Sequence, residues 1–220
     1  MTYEEFLKAK VAIATEHGFE VKDSEIHPLL KPFQRDAVRW AVRGGRRALF
    51  ESFGLGKTIQ QLEILRLILA RVGGRALIVA PLGVRQEFKR DAAKIGIDIR
   101  FIRSIDEVRQ LELDGHQSQI FLTNYETVRD GKLDPREFTA ASLDEASILR
   151  GFGGVKTFRE FMRLFAGDRK TINERIRGED VPYRFVATAT PSPNDFIELL
   201  AYAAFLGVMD VSDAKTRFFK

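Results

Sequence analysis

Between a short apolar run, Ala48-Leu49-Phe50, and a helical pattern opening at Thr58 stands Glu51-Ser52-Phe53-Gly54-Leu55-Gly56-Lys57-Thr58. Gly54 and Gly56 reach backbone angles closed to other residues, so this loop can curl its N–H groups around an anion. A lysine placed as Lys57 is suits charge neutralisation on β and γ phosphates. The Thr58 hydroxyl offers a ligand to Mg²⁺, and the following helix adds the positive end of its dipole. Phe53 and Leu55 fall inside the loop and share its nucleotide-binding assignment. The generic phosphate-loop pattern has Gly where Glu51 stands. By itself the loop specifies a phosphate binder of undefined purpose.

Three further groups carry chemistry. Leu143-Asp144-Glu145-Ala146-Ser147 ends a small-residue strand pattern well downstream. In that position Asp144 serves the magnesium shell, while Glu145 can orient and deprotonate an attacking water. An Asp-Glu dipeptide is common on surfaces, and only the buried strand before it and the loop elsewhere in the chain give this one meaning. In Leu30-Lys31-Pro32-Phe33-Gln34, the Gln34 amide offers the donor and acceptor that complement adenine N7 and N6, which favours ATP over GTP. Finally, Ala187-Thr188-Ala189-Thr190-Pro191 closes the last strand pattern. Hydroxyls of Thr188 and Thr190 there can bond the acidic pair and pass the γ-phosphate state to another surface.

The elements that must position these groups follow from periodicity. An amphipathic helix is expected over Tyr3–Glu16, and another after Pro32 with Phe33, Ala37, Trp40 and Ala41 on one face. Strands are expected at Ala48–Phe50, Ala76–Ala80, Ile99–Ile102, Ile120–Leu122, Thr139–Leu143 and Phe185–Thr188. Helices are expected near Thr58–Val72, Val84–Ile95, Ile105–Leu113, Val155–Phe165, Asn194–Phe205 and Ser212–Phe218. Short buried strands alternating with amphipathic helices imply an α/β fold, a mostly parallel sheet with helices on both faces. Ligands of such folds collect at the carboxyl ends of the strands, where these motifs fall. The polar stretch Gly167–Pro182, with Arg169, Lys170, Arg175 and Arg177, reads as a solvated excursion.

Composition narrows the class. The 220 residues suit one large domain, and 45% hydrophobic with 30% charged residues is the balance of a globular protein rather than a disordered one. A net charge of +4 permits a phosphate-backbone partner without demanding one. With no cysteine, thiol chemistry and Cys-ligated zinc are excluded, and His17, His27 and His116 show no ligand spacing. The acidic start lacks the apolar core of a signal peptide, and no apolar run approaches the roughly 18 residues of a membrane span. A cytoplasmic location is therefore expected, with no membrane partner.

Taken in order, Pro-Phe-Gln, Gly-Leu-Gly-Lys-Thr, Ala-Pro-Leu, Thr-Asn-Tyr-Glu, Asp-Glu-Ala-Ser and Thr-Ala-Thr-Pro resemble motifs Q, I, Ia, Ib, II and III of superfamily 2 helicases and translocases. The variant resembles the SWI/SNF-type ATPases, whose phosphate loop also begins with an acidic residue, as Glu51 does here. Residues 189–195 and 204–209 look like the phage and prophage DEAD/DEAH-box helicases of this type. The resemblance, spanning about Leu30 to Lys220, implies a RecA-like domain at 30–220 behind an N-terminal helical extension at 1–29. It implies ATP and Mg²⁺ as ligands and DNA as partner, duplex by the family variant, with RNA as the open alternative. Gln34 would read adenine, Gly54, Gly56, Lys57 and Thr58 would hold the phosphates, and Thr188 and Thr190 would couple hydrolysis to movement. Pro81 and Arg85, with Lys89, and Thr123, Asn124 and Tyr125 would follow the nucleic-acid backbone through phosphate contacts.

Two positions depart from the family: Ser147 stands where His or Asp is frequent, and Phe88 where Trp is common. Motifs IV to VI and the arginine finger, which belong to a second RecA-like domain, do not occur in these 220 residues. That domain is expected in cis or in trans, and without it weak ATP binding and little turnover. A P-loop phosphotransferase or switch, and a nucleic-acid clamp or recruitment module, are the competing classes.

Overall fold

In the computed structural model, which describes residues 14–150, 156–167, 180–192 and 196–219, six apolar runs pair into one sheet. The strands are β1 (Arg46–Phe50), β2 (Ala76–Val79), β3 (Ile99–Phe101), β4 (Ile120–Thr123), β5 (Ala140–Asp144) and β6 (Tyr183–Thr188). Their order is β1-β6-β5-β2-β4-β3 and every pairing is parallel. Helices fill the connections: α1 (Pro32–Gly44) precedes β1, and α2 (Lys57–Val72), α3 (Arg85–Lys94), α4 (Ile105–Leu113), α5 (Tyr125–Arg129) and α6 (Lys156–Ala166) lie between successive strands. After β6 come α7 (Leu199–Leu206) and α8 (Val211–Phe218).

The near-continuous apolar runs are explained by burial on both sheet faces. Along β2, Ala76 and Ile78 enter one cluster with Val38 and Ala41 of α1 and Leu62 and Leu65 of α2. The alternate residues, Leu77 and Val79, enter a second cluster with Val128 of α5, Phe161 and Phe165 of α6 and Phe205 of α7. This two-residue alternation sends successive side chains to opposite layers, and the α/β, RecA-like architecture expected from the sequence is present.

The face of α1 differs from the expected one. Gln34, Val38, Ala41 and Val42 are buried, whereas Phe33 and Trp40 are more than two-fifths exposed. The stripe is rotated by about one residue, and the Trp40 ring instead meets the Arg47 guanidinium at 5.4 Å. Of the expected opening helix, residues up to 13 lie outside those described, and 14–16 are not helical. The chain after them runs against α1: the His17 and Gly18 N–H groups donate to the Gly44 and Arg43 carbonyls at 2.9 and 3.1 Å, satisfying orphan acceptors at a helix end. Val21, Ile26 and Leu30 then join the α1–α2 core. The basic residues of the 167–182 stretch also lie outside the described residues.

At the opposite end of the sheet from the motifs, Asp180 closes an ionic cluster. Its Oδ2 accepts from Arg46 Nη2 at 2.8 Å and from Arg184 Nη1 at 2.7 Å. Arg184 is fully buried, and its guanidinium also donates to the carbonyls of Phe165, Val181 and Phe205. The cluster thereby ties β1 and β6 to the ends of α6 and α7. Removing one partner leaves buried charge uncompensated. Asp180→Ala should therefore lower unfolding free energy by about 3 kcal/mol in a urea titration. A loss below about 0.5 kcal/mol would show that the carbonyls alone solvate the arginines.

Candidate active site

The register of the sheet brings the motif-bearing strand ends to one rim. Phe50 pairs with Thr188 and Asp144 with Ala187, so β1, β6 and β5 finish level. The 51–58 loop leaves β1, the Asp144-Glu145 pair leaves β5, and Thr188–Pro191 leaves β6 between them. One side chain joins the outer two. Gln61, on the second turn of α2, donates from Nε2 to Asp144 Oδ1 at 2.8 Å and accepts from Ser142 Oγ at 2.6 Å.

The loop itself is shaped by amides. Gly54 and Gly56 have φ of 81° and 80°, the left-handed region that side chains avoid. Around them Gln34 Nε2 donates to the Leu55 carbonyl at 2.8 Å, while Gln34 Oε1 accepts from the Lys31 N–H at 2.9 Å. A Cβ on Gly56 would press directly on Gln34 Nε2. From the other side, Gln60 Nε2 donates to Glu51 Oε2 at 2.7 Å and to the Leu55 carbonyl at 3.3 Å. Glu51, the departure from the generic pattern, is thus an anchor for the helix that follows the loop. The Lys57 ammonium lies across the loop, donating to the Glu51 and Ser52 carbonyls at 3.0 and 3.3 Å, with the exposed Phe53 ring 5.4 Å away.

The carboxylates have separate surroundings. Asp144 is buried, and burial pushes its pKa up to about 6. The Gln61 hydrogen bond pulls it down, Glu145 pushes it up, Lys57 pulls it down and Glu87 pushes it up. These couplings join the phosphate loop and the acidic pair in one electrostatic neighbourhood. Glu145 has φ of 48°, a left-handed backbone that is strained in a non-glycine residue. The Ser147 N–H and Oγ hold its carbonyl at 2.7 and 3.2 Å. Its side chain accepts from Thr188 Oγ1 at 3.4 Å, and Thr188 Oγ1 accepts from the Thr190 N–H at 3.1 Å. A short relay therefore runs from the β5 acid to the segment after β6.

The remaining candidates lie on the same rim but do not present one surface. Pro81 is exposed before α3, and the half-buried Arg85 guanidinium stacks on Phe101 at 4.2 Å. Thr123 is buried and donates to the Ile102 carbonyl at 2.8 Å. Asn124 caps α5, accepting from the Thr127 N–H at 2.9 Å. Tyr125 is buried and donates to the Asp144 carbonyl at 2.6 Å, with its hydroxyl pKa raised by burial and by Asp144. In this arrangement Thr123 and Tyr125 brace the interior, leaving Pro81, Arg85 and Asn124 nearer the surface.

Gln60, Gln61, Ser142 and Glu87 escaped the sequence reading. The first three carried a signal: amides among the apolar residues of α2, and a hydroxyl within a strand of alanines. Glu87, whose Oε1 accepts from Thr58 Oγ1 at 3.1 Å, carried none. Among the described residues no three His, Cys, Asp or Glu side chains are arranged to hold a metal by themselves. Thr58 and Asp144 each offer the kind of hard oxygen that Mg²⁺ takes alongside phosphate and water.

No family model matches the chain, and no curated protein matches it. Solved structures share its fold. The Sulfolobus solfataricus SWI2/SNF2 ATPase core in complex with dsDNA aligns with a TM-score of 0.66 at 21% identity, over 90% of this chain and 40% of that one. The ATPase core domain of the same organism gives 0.63 at 20% identity, covering 92% and 42%. The UvsW helicase of bacteriophage T4 gives 0.58 at 15% identity, covering 94% and 64%. The chain therefore spans about two-fifths of the length of the SWI2/SNF2 structures. At these identities the likeness is one of fold.

Asp144 holds its proton more tightly folded than unfolded, so its charge costs stability above about pH 6. That cost fades as pH falls through 6 toward the unfolded value near 4. Asp144→Asn keeps an oxygen for Gln61 and removes the charge. In metal-free buffer it should stabilise the protein at about pH 8 by on the order of 1–3 kcal/mol, with the gain gone near pH 4. Thermal midpoints of both proteins across that range check this, and an unchanged or lower midpoint at pH 8 would contradict it.

Proposed function

We propose that this chain is the nucleotide-binding half of an ATP-driven motor on DNA, a SWI/SNF-like superfamily 2 translocase of the phage DEAD/DEAH-box type. The observation that carries the reading is the Gln61–Asp144 bond, which draws the glycine loop and the acidic pair into one site. The Gln34 amide, after its bonds to Leu55 and Lys31, retains one N–H and one lone pair for adenine N7 and N6.

In this reading the loop N–H groups and Lys57 bind the triphosphate, with Lys57 leaving its loop carbonyls for the β and γ oxygens. Thr58 and Asp144 hold magnesium, which when bound neutralises charge on those oxygens. Glu145 orients the attacking water and takes its proton. Thr188 and Thr190, bonded in series to Glu145, carry the state of the γ position toward a second RecA-like domain supplied in cis or in trans. That domain's arginine contributes about 10³–10⁵ in rate in related phosphoryl transfer, so the 220 residues alone bind Mg–ATP and turn it over slowly. Backbone contact falls to the rim around Pro81, Arg85 and Asn124, and the duplex in the SWI2/SNF2 structure supports double-stranded DNA as the track. DNA affinity then falls steeply with salt.

With the second domain present, duplex DNA should raise ATP turnover at least about tenfold. Glu145→Gln should cut that turnover by about 10²–10⁴ while ATP still binds, and Lys57→Ala should abolish ATP binding. Phosphate transfer indifferent to DNA would indicate a phosphotransferase. DNA binding without any ATP dependence would indicate a clamp.

A further inference from the structure

Thr58 has a single hydroxyl hydrogen, and where that hydrogen points decides whether its oxygen can serve a cation. In the structure it is donated to Glu87 Oε1 at 3.1 Å, on the first turn of α3. Asp144, the other proposed ligand, has a different donor, Gln61 Nε2, at 2.8 Å from its Oδ1. Each hard-oxygen ligand thus has its own orienting partner: Gln61 for the carboxylate and Glu87 for the hydroxyl. A hydroxyl whose proton is drawn to a carboxylate keeps its lone pairs free and becomes a better ligand. Partners of this kind typically change metal affinity by about 10–100-fold.

We propose that Glu87 is a positioning residue of the metal site, fixing the Thr58 hydroxyl so that its lone pairs face the divalent cation of a bound nucleotide. The proposal rests on the Mg–nucleotide reading above and adds to the site a residue from α3, an element with no share in the phosphate loop. The opposite arrangement, in which Glu87 occupies Thr58 and must release it, would make its removal favour the metal. The two therefore differ in sign.

The test is equilibrium binding of a fluorescent, non-hydrolysable ATP analogue to the 220-residue chain, titrated with Mg²⁺ and repeated in EDTA. Wild type, Glu87→Ala and Glu87→Gln are compared, with urea unfolding of each as the control for folding. For Glu87→Ala the Mg²⁺ midpoint should rise about tenfold or more, while EDTA affinity and unfolding midpoint stay as in wild type. Glu87→Gln keeps an oxygen that accepts the same hydrogen and should recover most of that shift. A midpoint unchanged or lowered in Glu87→Ala would overturn the proposal, as would a Glu87→Gln as impaired as Glu87→Ala, which would indicate bulk charge. Wild type that binds nucleotide without any response to Mg²⁺ would instead bring down the site reading itself, and this inference with it.

Discussion

Gln61 holds Asp144 Oδ1 through its nitrogen and Ser142 Oγ through its oxygen, at 2.8 and 2.6 Å, with all three side chains buried. Glutamine in an apolar interior is costly unless both ends of its amide are satisfied. Here both are, by two residues of the same strand, so the bond sets the height of α2 against β5 as well as the orientation of one carboxylate. The loop preceding α2 is thereby fixed relative to the acid that follows β5, across the intervening β6. That tie is the direct side-chain bond between the helix of the glycine loop and the acidic pair.

The same helix shows how the fold supports its site. Most of α2 is buried, and its buried polar residues each have a task. Gln60 anchors Glu51 and the Leu55 carbonyl, and Glu63 accepts from the His27 N–H and from Arg66. The helix is therefore bonded to the loop before it, to the strand beside it and to the chain segment ahead of α1. Gln60 is held through its amide nitrogen alone, its buried Oε1 having no hydrogen-bond partner among the described residues. The strain held at Glu145, with φ of 48°, is tolerated within this frame and aims its side chain at Thr188.

Local chemistry was legible in the sequence, and long-range partnership was not. The glycines of the phosphate loop announce themselves because the backbone they need is closed to other residues. The strands were readable because residues buried on both faces give unbroken apolar runs. The face of α1 was misjudged because Phe33 and Trp40 suggest a core by hydrophobicity alone, while the true stripe includes Gln34, polar and buried for its loop contact. Tyr125 and Thr123 look like surface contacts within their motif, yet their hydroxyls bond the carbonyls of Asp144, at the end of β5, and Ile102, just after β3. Glu87 has meaning only through Thr58, 29 residues earlier in the chain, and no spacing rule reaches it.

In the proposed function, one metal–triphosphate binds between the glycine loop and the β5 carboxylates. The most direct measurement is a crystal structure of the chain with Mn²⁺ and a non-hydrolysable ATP analogue, using anomalous scattering to locate the metal. The manganese peak should lie within ligand distance of both Thr58 Oγ1 and an Asp144 oxygen, with the Lys57 ammonium moved onto the phosphates. Nucleotide bound elsewhere, or a metal touching neither residue, would contradict it.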